Sequence, residues 1–128
     1  MKIKFKSNFH RRTFIEFILE NVRNPYISRY EFIAAVYLLS ADKFLWKRTR
    51  KSLTGYSVDF EHPDLNGIST EGYALYKAAK SIYMGNSEIS LNELGDGDLI
   101  DHATLLTIFS GIMLLRNGIG MLNWEVTA

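Results

Sequence analysis

Apolar residues recur at helical spacing over most of this chain, interrupted by three short stretches of strict alternation. Lys2-Ile3-Lys4-Phe5-Lys6 is the first of these, and it predicts a short strand whose lysines suit a sheet edge. Ser7 or Asn8 then caps a helix reaching about Val22. Its wheel gathers Phe14, Ile15, Phe17, Ile18, Leu19 and Val22 on one arc, with Arg12, Thr13, Glu16, Glu20 and Arg23 opposite, so one side is buried. His10 falls within the apolar arc, which predicts a half-buried, hydrogen-bonded histidine. Asn24-Pro25 breaks the chain, because proline disfavours helical geometry in the residue before it. Ser28-Arg29-Tyr30-Glu31 reads as a capping box, in which serine and glutamate satisfy free backbone donors. The helix it opens is predicted to continue to about Lys51. Tyr30, Ile33, Ala34, Tyr37, Leu38, Ala41, Phe44 and Leu45 make one stripe; Phe32, Ala35, Leu39 and Trp46 make a second, roughly opposite. A helix with two apolar faces packs between two layers.

Thr54-Gly55 ends that helix, and Tyr56, Val58 and Phe60 alternate with Ser57, Asp59 and Glu61 as a second strand candidate. The stretch 62–67 is loop chemistry. Ser69 or Thr70 starts a third helix to about Met84, stopped by Gly85-Asn86. Ser90-Leu91-Asn92-Glu93 is another capping box, of a single short turn. Residues 98–118, DLIDHATLLTIFSGIMLLRNG, carry a helix start at Asp98 or Asp101, a long apolar body and a stop at Arg116-Asn117-Gly118. Apart from Asp101, His102, Thr104, Thr107 and Ser110, almost every side chain from 99 to 115 is apolar or absent. A helix apolar on nearly all sides belongs inside a protein, so this one is predicted as the central post. Leu122-Asn123-Trp124-Glu125-Val126 alternates once more, a third strand candidate. The pattern predicts a mainly α, compact four-to-five-helix domain spanning 1–128 as a single domain. Its second and fourth main helices are innermost, and one or two short accessory β-strands lie beside them.

Composition adds exclusions. The chain of 128 residues is 47% hydrophobic, enough to bury a core without metals or disulfides. It has no cysteine, which rules out disulfides, thiol nucleophiles and thiolate metal sites. No continuous apolar leader opens it, and residues 99–115 fall short of the about 20 needed to span a bilayer, so a cytoplasmic protein with no membrane contact is expected. Net charge is only +1, yet residues 1–53 hold twelve Lys/Arg against four Asp/Glu, and residues 54–128 hold three against ten. If those halves are also spatial halves, the molecule is a dipole able to steer a charged partner.

Candidate chemistry follows that charge. Lys43, Lys47 and Lys51 stand at i, i+4 and i+8, with Trp46, Arg48 and Arg50 among them, and together with Lys2, Lys4, Lys6, Arg11 and Arg12 they could contact phosphates. A solvated helix end accounts for the same cations, and Trp46 aligns with core positions Leu39 and Phe32. Glu88, Glu93, Asp96, Asp98 and Asp101 form an acidic candidate that could meet a basic groove, although acids at helix starts need no ligand. Asp98 and His102 could both reach one metal ion, but no third ligand is specified, so no metal and no cofactor are expected. Among His10, His62 and His102 no serine elbow, phosphate-cradling loop or HExxH pattern occurs, and catalytic residues are not expected. Thr104, Thr107 and Gly111 share one side of the 98–118 helix, where small residues admit close approach by a neighbour from this domain or from a homodimer partner.

FKSNFHRRTFIEF at 5–17, SRYEFIAAVYLLSAD at 28–42, ISTEGYALYKAAKSIYMG at 68–85, and SLNEL with LIDHATLLTIFSGIMLLRNG at 90–118 together resemble a family of small helical proteins. That family is a domain of unknown function found in low-GC Gram-positive bacteria, their phages and mobile elements. The resemblance covers residues 5–118 and brings no catalytic residues. It implies a compact helical, cytoplasmic protein of prophage context. Phage proteins of this kind often act by binding a host protein, for example to inhibit a defence system such as CRISPR. The expected function is therefore a non-enzymatic protein-interaction module, with a nucleic-acid-binding accessory protein using the 43–51 run as the alternative and a small metal-dependent enzyme third.

Overall fold

Local capping chemistry opens the helices where the sequence places it. The computed structural model describes residues 3–21, 23, 29–53, 57–61 and 63–121. Its helices are α1 (Asn8–Glu20), α2 (Tyr30–Leu39), α3 (Lys43–Thr49), α4 (Thr70–Met84), α5 (Leu91–Leu94) and α6 (His102–Asn117), with 3-10 turns at Arg50–Ser52 and Ile119–Met121. The Ser7 hydroxyl accepts from the His10 amide at 3.1 Å, Ser69 from Gly72 at 3.0 Å, and Asp101 from Thr104 at 2.7 Å. Ser90 and Glu93 close a full capping box on α5. Gly85 ends α4 in the left-handed region and Gly118 follows α6 at φ 81°, positions where a side chain would be strained. Ser28, half of the other predicted box, lies outside the described residues; Arg29 occupies the N-cap of α2 with no side-chain capping hydrogen bond, and its guanidinium pairs with Glu31 at 3.4 Å.

The long helix expected up to Lys51 is two helices. Asp42 is the cause: its carboxylate accepts from the Leu45 amide at 2.9 Å and starts α3 afresh. Ser40 and Ala41 form the corner, and the Ser40 hydroxyl donates to the Tyr37 carbonyl at 3.1 Å. Removing the Asp42 cap with Asp42→Ala should cost about 1 kcal/mol, read as a lowered denaturant midpoint with unchanged slope.

The central post is α2, not α6. Every residue from Phe32 to Ala41 is buried. Ten helical residues are too few to hold a helix in water alone, so packing sustains this one, at about 1.5–3 kcal/mol per large buried side chain. α4 and α6 make most of its contacts, with α1 and α3 completing the shell. α6 turns Thr104, Thr107, Ile108, Gly111 and Leu114 inward and leaves Leu106, Phe109 and Ile112 exposed at 50%, 48% and 42%. A sequence apolar on all sides does not specify which side meets the core. The small positions seat α6 on α2: a Cβ at Gly111 would lie 2.8 Å from Leu38 Cγ. The neighbour admitted there is this domain's own helix.

The accessory strands do not form among the described residues. Leu53 and Val58 meet in an isolated antiparallel bridge, with the Asp59 amide donating to the Ser52 carbonyl at 2.9 Å. One bridge cannot sustain a sheet. Side chains hold this segment instead, for the Tyr76 hydroxyl donates to the Phe60 carbonyl and Phe60 packs on Tyr76 and Tyr83. Lys2 and Tyr56, ends of two candidate strands, and the whole of 122–126 lie outside the described residues.

Candidate functional site

Residues 3–6 form no strand, with Ile3 at an isolated bridge position and Lys6 in a bend, and a buried polar knot fixes them. His10 is fully buried, deeper than its place on the α1 arc suggested. The Lys6 amide donates to His10 Nδ1 at 2.9 Å, which leaves Nε2 as the protonated nitrogen, donating to the Tyr37 carbonyl at 2.6 Å. The Tyr37 hydroxyl in turn donates to the Lys4 carbonyl at 2.5 Å. Phe5 closes the knot, edge-on to the His10 ring at 5.1 Å. Burial drives the imidazole pKa down to about 3 and, at Tyr37, lifts the phenol to about 12, the latter against the pull of the Ser110 hydroxyl. Both groups are therefore neutral over the ordinary pH range and engaged by backbone.

That pinned segment forms one bank of a groove of about 650 Å³ whose other bank is α6. Ile3, Phe5, Leu106, Phe109 and Met113 give it an apolar lining, and the exposed Lys4 and Lys6 stand along one rim. The Lys6 ammonium acts favourably on the carboxylate of Asp101 at the start of α6. The Thr104 hydroxyl and amide, both turned toward Asp101, hold that carboxyl below the usual range, although only the amide makes a well-formed hydrogen bond. Sequence reasoning missed this groove. Its signal was present in the apolar excess of residues 99–115, too large for one buried face.

The basic candidate divides. Lys43, Lys47, Arg48, Arg50 and Lys51 are exposed on α3 and the turn after it. Trp46 faces inward with its ring edge-on to Phe17 at 5.8 Å, so it is packing and not part of the charged face. Arg48 is committed to Asp64, donating to its carbonyl at 3.0 Å and pairing with its carboxylate at 3.6 Å. Arg50 lines a second groove of about 440 Å³ between α1 and α3, which also holds Arg12, Glu16 and Glu20.

The acidic candidate is largely spent on structure. Glu88 pairs with Lys80 at 3.7 Å and Glu93 with Lys77 at 3.4 Å. Hydrogen bonds from Ser90, backbone first, and the Lys77 partner draw the Glu93 carboxyl below its ordinary value. Asp96 accepts from the Asp98 amide at 2.9 Å and closes its own turn, and Asp101 caps α6. Asp98 is exposed. Four of these acids have local partners and, among the described residues, the Asp98 carboxylate has none; the Lys pairs offset Glu88 and Glu93, while Asp96, Asp98 and Asp101 stay exposed and charged. Among the described residues, no three His, Asp or Glu side chains converge as metal ligands. A third cleft, about 420 Å³, lies beside the α4 N-terminus between Tyr73, Lys77, Glu93 and Ile100, with the Lys77 ammonium 5.7 Å from the Tyr73 ring centroid.

No helix among the described residues is long and apolar enough to cross a membrane. Comparison with protein-family models, with curated proteins and with solved structures finds no match to this chain. The likeness to the phage-associated family thus rests on the sequence landmarks alone.

Proposed function

We propose that this chain is a non-enzymatic protein-interaction module that docks a partner on the outward face of α6 and the 3–6 segment beside it. The observation that carries the reading is the half-exposed pair Leu106 and Phe109 lining the groove, with Ile112 exposed beside it on the same helix. Contiguous apolar surface of this kind is costly in water and marks interaction sites. The occupant that fits is an amphipathic helix with an acidic border, since the floor is apolar and the exposed Lys4 and Lys6 stand on its rim. His10 and Tyr37 support a non-catalytic role, because their polar atoms are bonded to backbone and neither is poised to exchange a proton with a substrate. The family resemblance adds a context of phage or mobile element in the cytoplasm and a host protein as partner, of which a CRISPR component is one example.

The test pairs capture with reconstitution. Immobilised wild-type chain should retain a partner from nuclease-treated host lysate, and the purified partner should bind about a hundredfold more weakly to Leu106→Glu/Phe109→Glu. Lys43→Glu/Lys47→Glu should bind it as the wild type does. Equal binding by the α6-face variant overturns the reading. So does a wild-type dimer in sedimentation that the same substitutions dissociate, which would assign the face to a second copy.

A further inference from the structure

We infer that the exposed face of α3 binds single-stranded nucleic acid, with Phe44 as the surface on which a base stacks. The break at Asp42 starts α3 in a new phase and turns Phe44 outward, 69% exposed. On a helix, positions four apart stand in one column, so Phe44 and Arg48 form one column and Lys43 and Lys47 the column beside it. Lys51 follows on the 3-10 turn, also exposed. Among the described residues Lys43, Lys47 and Lys51 form no ion pair, whereas Arg48 is held by Asp64. A large exposed ring beside three unpaired cations is complementary to a ligand that offers both an anionic chain and flat apolar faces. A strand of nucleic acid supplies both at once: phosphates for the lysines, a base for the ring.

The geometry favours a single strand over a duplex, whose bases are stacked on one another and offer Phe44 no face. α3 has 7 residues, about 10 Å, too short to read a major groove along its length. It also disfavours a bilayer. Leu45 is buried and Trp46 packs inward on Phe17, so no second large side chain beside Phe44 on α3 is available to insert. This site is separate from the α6 face, and its test stands apart from that one.

Fluorescence anisotropy of a labelled oligothymidylate with the full chain, from about 50 to 200 mM salt, decides it. Neutralising three phosphates gives a log–log salt slope of about −2, and Lys43→Gln/Lys47→Gln should flatten it by about 1.4. Phe44→Ala should weaken binding about tenfold at every salt concentration with the slope retained. All three positions are exposed, so thermal melts of the variants should superpose on wild type. Absence of salt-dependent binding overturns the inference, and so does a Phe44→Ala chain that binds like wild type. Duplex bound as tightly as the single strand, or binding lost to Lys4→Gln/Lys6→Gln instead, would overturn it equally.

Discussion

His10→Ala is expected to lose about 3–5 kcal/mol of folding stability, read from chemical denaturation at neutral pH. The imidazole fills a fully enclosed site between Phe5 and Tyr37, and its removal leaves a cavity. It also strips the Lys6 amide of its acceptor and the Tyr37 carbonyl of one donor. The same residue sets an acid limit. Its pKa falls from 6.5 in the unfolded chain to about 3 when folded, so between those values the unfolded state binds the proton and the native state does not. Stability is complete above pH 6.5 and drains as pH falls toward 3, by up to about 5 kcal/mol. Carboxylates such as Glu93 and Asp101 contribute only below their ordinary values of 4.5 and 3.8. The fall between pH 6.5 and about 5, roughly 2 kcal/mol, therefore belongs to the histidine. A His10→Gln chain should be less stable at pH 7 and show no such fall. Tyr37 sets the alkaline counterpart: with its phenol at about 12 against 10.0 unfolded, stability declines as pH rises through that interval.

Gly111→Val should destabilise by about 2–4 kcal/mol, against the modest gain expected from replacing a glycine inside an exposed helix. The added Cβ would stand 2.8 Å from Leu38 Cγ and within 3.0 Å of both its methyls. Leu38 has no room to yield, being fully buried on the post that carries the rest of the core. Leu38→Ala in the same chain should recover part of the loss, giving a double-mutant coupling of about 1–2 kcal/mol. Additive losses would mean that α6 does not ride on α2 at this residue.

Where structure follows from neighbours in sequence, it could be read in advance. Ser7, Ser69, Asp101, the Ser90–Glu93 box and the glycine at 85 act within one turn, so their chemistry is written in adjacent letters. Burial of α2 on both sides was visible in its two stripes. The split at Ser40–Asp42 was not, because Ala41-Asp42 is tolerable inside a helix. The Asp42 carboxylate, which can either sit in a continuing helix or cap a new one, decided it, with the distant His10 imidazole taking the Tyr37 carbonyl. That one error moved Phe44 and shifted the candidate site. A continuous helix places Phe44 in the stripe with Leu45, whereas a helix restarted by Asp42 turns it to solvent. The outward face of α6 was illegible for another reason: periodicity disappears when every side is apolar.

The end of α2 and the burial of His10 are one event. A helix running on through Asp42 would give the Tyr37 carbonyl to the Ala41 amide; instead that amide turns to Leu38 and the carbonyl is open to the imidazole. The imidazole then shelters the Lys6 amide, in a segment that would otherwise fray. In hydrogen–deuterium exchange, the Lys6 amide should thus behave like a reporter wired to a distant helix terminus. Any substitution that lets α2 overrun its stop should deuterate Lys6 rapidly while amides in the middle of α4 keep their protection.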